Sequence, residues 1–293
     1  MKELVFVHGR SQQNLNPVDL KAQWFAALTA GMKKINRQLP IDEAHVHFPY
    51  YGNTLMDLCK GMTPEQAARV ILQGNESDEQ ERKFAMSMIG EIAQGTLPPE
   101  ELAAAPSGNV IEQGVKEWPA MQWLLRRMDG VPGVNAEAIS LTTHDVYQYL
   151  RQTGISIKID REVMKAFKSG AETVLVSHSL GTVVAYNVLR KLEAGVTVNQ
   201  LVTLGSPLAI SAIKTGLAPL SWPKPVGQWM NARDPHDVVA LFPLVPPRFS
   251  VSAPGGKSIV DKSDVSNSKD DPHSIHDYLN DPFVAKCIYE ALV

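Results

Sequence analysis

The stretch Thr173-Val174-Leu175-Val176-Ser177-His178-Ser179-Leu180-Gly181, followed by Thr182-Val183-Val184-Ala185-Tyr186-Asn187-Val188-Leu189, limits this chain more than any other. Residues 173–176 are apolar or β-branched and read as a short buried strand. Small residues flank Ser179, and an apolar helical run follows with no polar face until Arg190 and Lys191. A strand that turns sharply into a buried helix lifts the hydroxyl of Ser179 out at the carboxyl edge of a sheet. It also aims the first N–H groups of the helix at the same point. So tight a turn requires small residues two before and two after the serine, here Ser177 and Gly181. Set against the pattern Gly-x-Ser-x-Gly, the first glycine has become serine, which fits by size but tolerates unusual backbone angles less well. The plainer alternative is a buried strand entering a helix through a serine-rich cap.

The flanking chain alternates strands and helices. Leu4 to Val7 reads as a strand, broken by His8-Gly9-Arg10 and a polar loop from Ser11 to Asn16. Asn16 is a good N-cap with Pro17 at the first helical position and Asp19 in the first turn. Leu20, Trp24, Leu28, Met32 and Ile35 then follow at helical spacing. A second strand is expected over His45–Phe48, and further strands over Leu201–Leu204, Val226–Met230 and near Ser258–Val260. Asp160 is expected to cap a helix reaching Lys168, and Asp281-Pro282 opens a one-sided final helix through Phe283, Val284, Cys287, Ile288 and Ala291.

Residues 53–155 have a different texture. Helical stretches are expected around 64–73, 79–94, 110–128 and 142–152, with Thr63-Pro64-Glu65-Gln66 as a capping box and few strand-like runs. This region reads as a helical insertion between two strands of one α/β domain spanning 1–293. Six methionines lie in it, Met56, Met62, Met86, Met88, Met121 and Met128. They fill a small helical core or line a substrate pocket, since methionine adapts to either. Strands separated by helices indicate a mostly parallel sheet with helices on both faces, whose chemistry sits at the carboxyl ends of the strands.

Composition excludes several classes. A net charge of −3 with no basic cluster argues against a nucleic-acid partner. Cys59 and Cys287 are too few and too far apart for a disulfide framework or a thiolate metal site. The apolar run Leu4–Val7 is too short for the core of a signal peptide, and no run reaches membrane-spanning length. The expectation is a cytoplasmic protein with no transmembrane segment.

Three segments supply partners for Ser179. Val7-His8-Gly9-Arg10 follows the first strand, Asn231-Ala232-Arg233-Asp234-Pro235-His236-Asp237-Val238-Val239 follows a later strand, and Asp271-Pro272-His273-Ser274-Ile275-His276-Asp277-Tyr278-Leu279 precedes the last helix. The order serine, acid, histidine resembles the α/β-hydrolase superfamily, whose triads run Ser…Asp/Glu…His along the chain. The His-Gly after the first strand is similar to the oxyanion loop of its lipase and esterase branches. The resemblance covers roughly 1–52 and 156–293, and the helical insertion resembles a lid. It implies an α/β-hydrolase fold with a helical cap, Ser179 as nucleophile, and an oxyanion hole from the backbone N–H groups of Leu180 and of Gly9 or Arg10. The acid is Asp237 or Asp234. Asp237, before Val238-Val239, is preferred, because Asp234-Pro235 is also a turn signal. The base is His273 or His276, with His273 preferred on the freer segment after Asp271-Pro272.

The implied activity is hydrolysis of a small or lipid-like carboxylic ester, with amidase, peptidase or thioesterase chemistry, or a non-catalytic binding protein on the same scaffold, as alternatives. No cofactor or metal is expected, since the alternating His45 and His47 have no carboxylate or cysteine cluster beside them in sequence. His8 is expected to buttress the oxyanion loop, His178 to point away from the nucleophile, and His144 to be structural.

Overall fold

The computed structural model describes residues 2–9, 15–53, 79–106 and 118–293. Six strands form one all-parallel sheet: β1 (Lys2–Val7), β2 (Val46–His47), β3 (Glu172–His178), β4 (Thr197–Leu204), β5 (Val226–Ala232) and β6 (Ile259–Lys262). Their spatial order is β2-β1-β3-β4-β5-β6. The helices are α1 (Pro17–Lys34), α2 (Glu79–Thr96), α3 (Pro99–Ala103), α4 (Trp118–Met128), α5 (Ala136–Arg151), α6 (Thr153–Met164), α7 (Leu180–Leu189), α8 (Ser211–Leu217), α9 (Ile275–Asn280) and α10 (Pro282–Leu292).

The period of two along each strand divides the core. Leu4, Phe6, Val174, Val176, Val202, Leu204 and Met230 face α1 and α10, where they meet Trp24, Leu28, Met32, Val284 and Ile288. Val5, Val7, Leu175, Leu201 and Trp229 face the opposite layer with α7 and the helices inserted after β2. Each large side chain removed from water contributes on the order of 1.5–3 kcal/mol, so both faces of the sheet must stay covered. That requirement makes the strands near-continuous apolar runs.

Several expected boundaries coincide with the observed caps. Asn16 Oδ1 accepts the N–H of Val18 at 2.9 Å, and Asp281 Oδ1 accepts those of Phe283 and Val284 at 2.9 and 3.0 Å. Asp160 does not cap a helix. It lies inside α6, 4% exposed, where its carboxylate accepts from Tyr149 Oη, from Asn187 Nδ2 at 3.2 Å and from Lys191 Nζ at 2.7 Å. A buried carboxylate with partners on α5, on α7 and just beyond α7 has no reason to sit at a helix end. His45 also differs from expectation, lying in a 3₁₀ turn rather than on β2.

Between β2 and β3 the described residues form α2 to α6 and no strand. The helical run continues through Met164, past the expected end at 155. Met86, Met88, Met121 and Met128 are buried in the core shared by these helices. The expected helix over 64–73, the first part of that over 110–128, Met56, Met62 and Cys59 lie outside the described residues. Among the described residues no helix is long and apolar enough to cross a membrane.

β1 lies between β2, which follows it in sequence, and β3. The connection out of β1 therefore runs to one side, to β2, and that out of β3 to the other, to β4, and the crevice opens at the carboxyl ends of β1 and β3. Replacing Asp160 by alanine leaves Tyr149 and Asn187 without their buried acceptor. Asp160→Ala should lower unfolding stability by about 2 kcal/mol, read as a reduced urea midpoint with an unchanged slope.

Candidate active site

Ser179 follows β3 and precedes α7 with φ 56° and ψ −130°, one of two non-glycine residues with positive φ among those described. Such backbone costs about 1–3 kcal/mol and persists only where its surroundings enforce it. Here the Ser179 N–H donates to the Leu204 carbonyl at 3.1 Å, and the Ser179 carbonyl accepts from the Thr182 N–H at 2.9 Å and Thr182 Oγ1 at 2.7 Å. A Cβ on Gly181 would lie 2.4 Å from the carbonyl oxygens of both Val7 and His8, so only glycine lets α7 dock on the end of β1. Ser177 lies within β3, paired with Val7 and Thr203, and its hydroxyl donates to the Val202 carbonyl at 3.2 Å. That position needs a small residue and extended backbone, not a glycine.

Gly9 closes the other side of the serine. A Cβ there would stand 2.8 Å from Ser179 Cβ and 3.4 Å from Ser179 Oγ. Leu180 is the first residue of α7, so its N–H belongs to the helix turn that intrahelical bonding leaves open. Arg10 lies outside the described residues.

His8 fixes the Gly9 turn. Its Nδ1–H donates to the Gly9 carbonyl at 2.7 Å, and its Nε2 accepts the Tyr51 N–H at 3.1 Å. The Tyr51 ring stacks on it at 4.0 Å, and the Tyr51 hydroxyl donates to the His8 carbonyl. Complete burial pushes the His8 pKa down to about 4, against which its bond to Gly9 counts only partly.

The two candidate aspartates have separate tasks. Asp237 is 1% exposed; its Oδ1 accepts the N–H groups of Val239 and Ala240 at 3.0 and 3.3 Å, and its Oδ2 accepts His273 Nδ1–H at 2.7 Å. Asp234 does not reach the imidazole of His273. Its Oδ1 accepts the His236 N–H at 2.7 Å, and its Oδ2 accepts the Asn267 N–H at 2.6 Å, while Asn267 Nδ2 donates to the Pro272 carbonyl at 2.7 Å. Asp234 thus pins the segment that carries His273, and Asp237 holds the imidazole itself.

Tyr278 joins the two and was not foreseen. Its hydroxyl donates to Asp237 Oδ2 at 2.7 Å and accepts the Asp234 N–H at 2.9 Å. Burial, then the neighbouring Asp237, raises its pKa well above the ordinary phenol range, so it remains a donor. Its place on α9, fully buried five residues after His273, was legible only as a packing position.

Ser179, Asp237, His273 and Gly9 line one cavity of about 380 Å³. Trp24, Ile139, Val238 and Val239 are among its apolar walls, and Asp270 and Asp271 stand on it as well. No methionine lines it among the described residues. Ser179 Oγ and His273 Nε2 are both buried without a hydrogen-bond partner, so they share the cavity while the bond between them is not made. His276 is exposed on α9 and lines the same cavity, but it is not bonded to Asp237.

His178 departs from expectation. Its ring lines the cavity and lies 4.5 Å, centroid to centroid, from that of His273, because the sharp bend at Ser179 keeps the end of β3 on the cavity wall. His144 is buried against Glu81, Nδ1 to Oε1 at 2.7 Å, joining α5 to α2. His45 and His47 both approach Glu3 Oε2, at 3.4 and 2.7 Å, with Lys168 on the other oxygen at 3.2 Å, so a carboxylate does accompany them. Among the described residues no group of three or more histidine, cysteine or carboxylate side chains is disposed to hold a metal ion.

Neutral His8 gives a pH prediction. An unfolded histidine takes up a proton below about 6.5, whereas folded His8 resists until about 4. Its contribution is present above the higher value and is lost as pH falls toward the lower, amounting to about 3 kcal/mol. The His8 ring resonances should show no titration between about pH 8 and pH 5, while urea stability declines over the acid part of that range. Titration near the ordinary histidine value would refute this. No protein-family model matches the chain, and neither does any curated protein or solved structure.

Proposed function

We propose that the chain is a serine hydrolase of α/β-hydrolase type that cleaves a carboxylic ester through Ser179, His273 and Asp237, beneath a cap formed by the helices between β2 and β3. The observation that carries this reading is the placement of Ser179. Its backbone is strained, its hydroxyl has no partner, and it shares a cavity with an imidazole whose far nitrogen is already held by a buried aspartate. A structural serine at a helix start bonds the N–H groups of the next turn, and Ser179 makes no such side-chain bond.

In the proposed reaction Asp237 accepts His273 Nδ1–H and so leaves the Nε2 lone pair available toward the cavity. Nε2 takes the proton as Ser179 Oγ bonds to the ester carbonyl carbon. The N–H groups of Leu180 and of Gly9 or Arg10 are the donors for the resulting oxyanion in this proposal, each such donor commonly supplying about 10²–10³ in rate. Collapse breaks the bond to the leaving alkoxide, which takes the proton from His273. Water, deprotonated by Nε2, then attacks the acyl-enzyme, and the acid departs as the proton returns to Ser179. The Oγ–Nε2 bond forms as substrate binds, since catalytic hydrogen bonds are often loose in unliganded enzymes. The cavity volume of about 380 Å³ suits a small acyl group rather than a long chain.

The unmade bond is also the observation that favours a second reading, a non-catalytic binding protein on this scaffold. A fluorophosphonate probe with peptide mapping separates the two. Labelling at Ser179, and loss of p-nitrophenyl acetate or butyrate turnover in Ser179→Ala without loss of fold, are expected. Asp237→Asn should lower kcat by about 10³–10⁴. An unlabelled protein, or a Ser179→Ala variant with wild-type turnover, would refute the assignment. Anilide and thioester analogues of the same acyl group report amidase and thioesterase chemistry.

A further inference from the structure

Two features beside His273 play no part in the reaction just described: the imidazole of His178, which lines the cavity, and the bare backbone of Gly205 behind it. We infer that together they form a slot that fixes the His273 ring, so that His178 is a positioning residue for the base. This rests on the reading of His273 as the base.

The geometry is specific. The His178 ring lies 4.5 Å from that of His273 with the planes 36° apart, a tilted face contact. His178 is itself immobilised, 7% exposed, with its ring 6.3 Å from Trp24 in an edge contact and 6.0 Å from Tyr278. Gly205 terminates β4 with φ +55°. A Cβ placed on it would lie 3.0 Å from His273 Cε1, 3.1 Å from Asp237 Oδ2 and 3.1 Å from His178 Nε2. One point therefore touches base, acid and neighbour together, and only the absence of a side chain leaves it open. Neither the left-handed backbone nor the crowded space admits another residue without moving the base.

The chemistry suits the position. Burial, followed by the charge of His273, pushes the His178 pKa well below the ordinary histidine value. His178 stays neutral and does not compete for the proton that His273 carries in the reaction. Its Nε2 has no close hydrogen-bond partner, and a hydrogen bond with the His273 backbone counts partly against the lowered pKa, so His178 meets its neighbour through the main chain as well as the ring. An aromatic face against an imidazole that becomes cationic is also electrostatically favourable.

The test compares His178→Ala, His178→Phe and Gly205→Ala with the wild type, all checked by thermal unfolding. His178→Ala frees the base, and kcat for p-nitrophenyl acetate should fall about 10- to 100-fold with KM nearly unchanged. His178→Phe, the conservative variant, should recover kcat to within about threefold of wild type, because the slot needs a flat ring. Gly205→Ala should lower kcat as His178→Ala does. The downfield NMR resonance of the His273 Nδ1–H bonded to Asp237 should persist in His178→Phe and broaden in His178→Ala. Wild-type kcat in His178→Ala, or a phenylalanine variant as impaired as the alanine one, would overturn the slot. If the wild type hydrolyses no ester, the enzyme reading fails, and the resonance comparison still decides whether His178 holds the ring.

Discussion

The contact on which the structure depends is the approach of Gly181 to the carbonyl oxygens of Val7 and His8. It brings α7 onto the end of β1 with no side chain between them, and a Cβ would meet both oxygens at 2.4 Å. Once that approach is fixed, Ser179 has nowhere to go but the positive-φ turn it adopts, and Gly9 must run directly beside it. The backbone strain at Ser179 is sustained by β3, by α7, and by hydrogen bonds to Leu204 and Thr182. Strain of about 1–3 kcal/mol is small beside the burial energy of those elements. A rigid hydroxyl at the carboxyl edge of the sheet follows from packing alone, before any chemistry is considered.

The surroundings of that hydroxyl sort the histidines by burial. His8 and His178 are enclosed and kept neutral, whereas His273 retains a 27% exposed side chain and a buried carboxylate partner. The aspartates are sorted too. Asp234 holds a loop through Asn267, Asp237 holds a ring, and the Tyr278 hydroxyl ties one to the other. Three charged or polar groups within one buried network are tolerable because each has its hydrogen bonds supplied.

Most of this architecture was legible in the chain. The central strand, the turn at Ser179, both capped helices and the carboxyl-end location of the candidate residues follow from local pattern, which periodicity and cap chemistry encode directly. The preference for Asp237 over Asp234 came from the resemblance, through the Val238-Val239 that follows it; the structure adds that these residues start a short 3₁₀ turn whose N–H groups bond the Asp237 carboxylate. What escaped depends on contacts distant in sequence. Asp160 reads as a cap until Tyr149, Asn187 and Lys191 are seen around it. Tyr278 reads as core because the bond to Asp237 spans 41 positions. His178 was expected to face away, yet it shares the face of Val174 and Val176 and meets Trp24, Tyr278 and His273 there. Ser177, which seemed a flaw in the motif, proved to be an ordinary strand residue, since the strain is confined to Ser179.

The open link between Ser179 and His273 can be assigned to the side chains of the site. The Ser179 backbone is held by Gly181, Gly9 and the sheet, so on the serine side only Oγ can turn, about its own side-chain bond. The histidine sits on a segment fastened at discrete points: Asn267 to Asp234 and to the Pro272 carbonyl, and the Ser268 N–H to Asp277 at 2.9 Å. Between those points and Asp237, the imidazole has few ways to move other than turning about its own side-chain bonds within the slot between His178 and Gly205. Such a turn is small, keeping Nδ1 near Asp237 and the ring within the slot. Closure under the proposed mechanism is therefore a side-chain adjustment rather than a rearrangement of the fold, and it leaves the strained turn at Ser179 as the fixed reference about which His273 aligns.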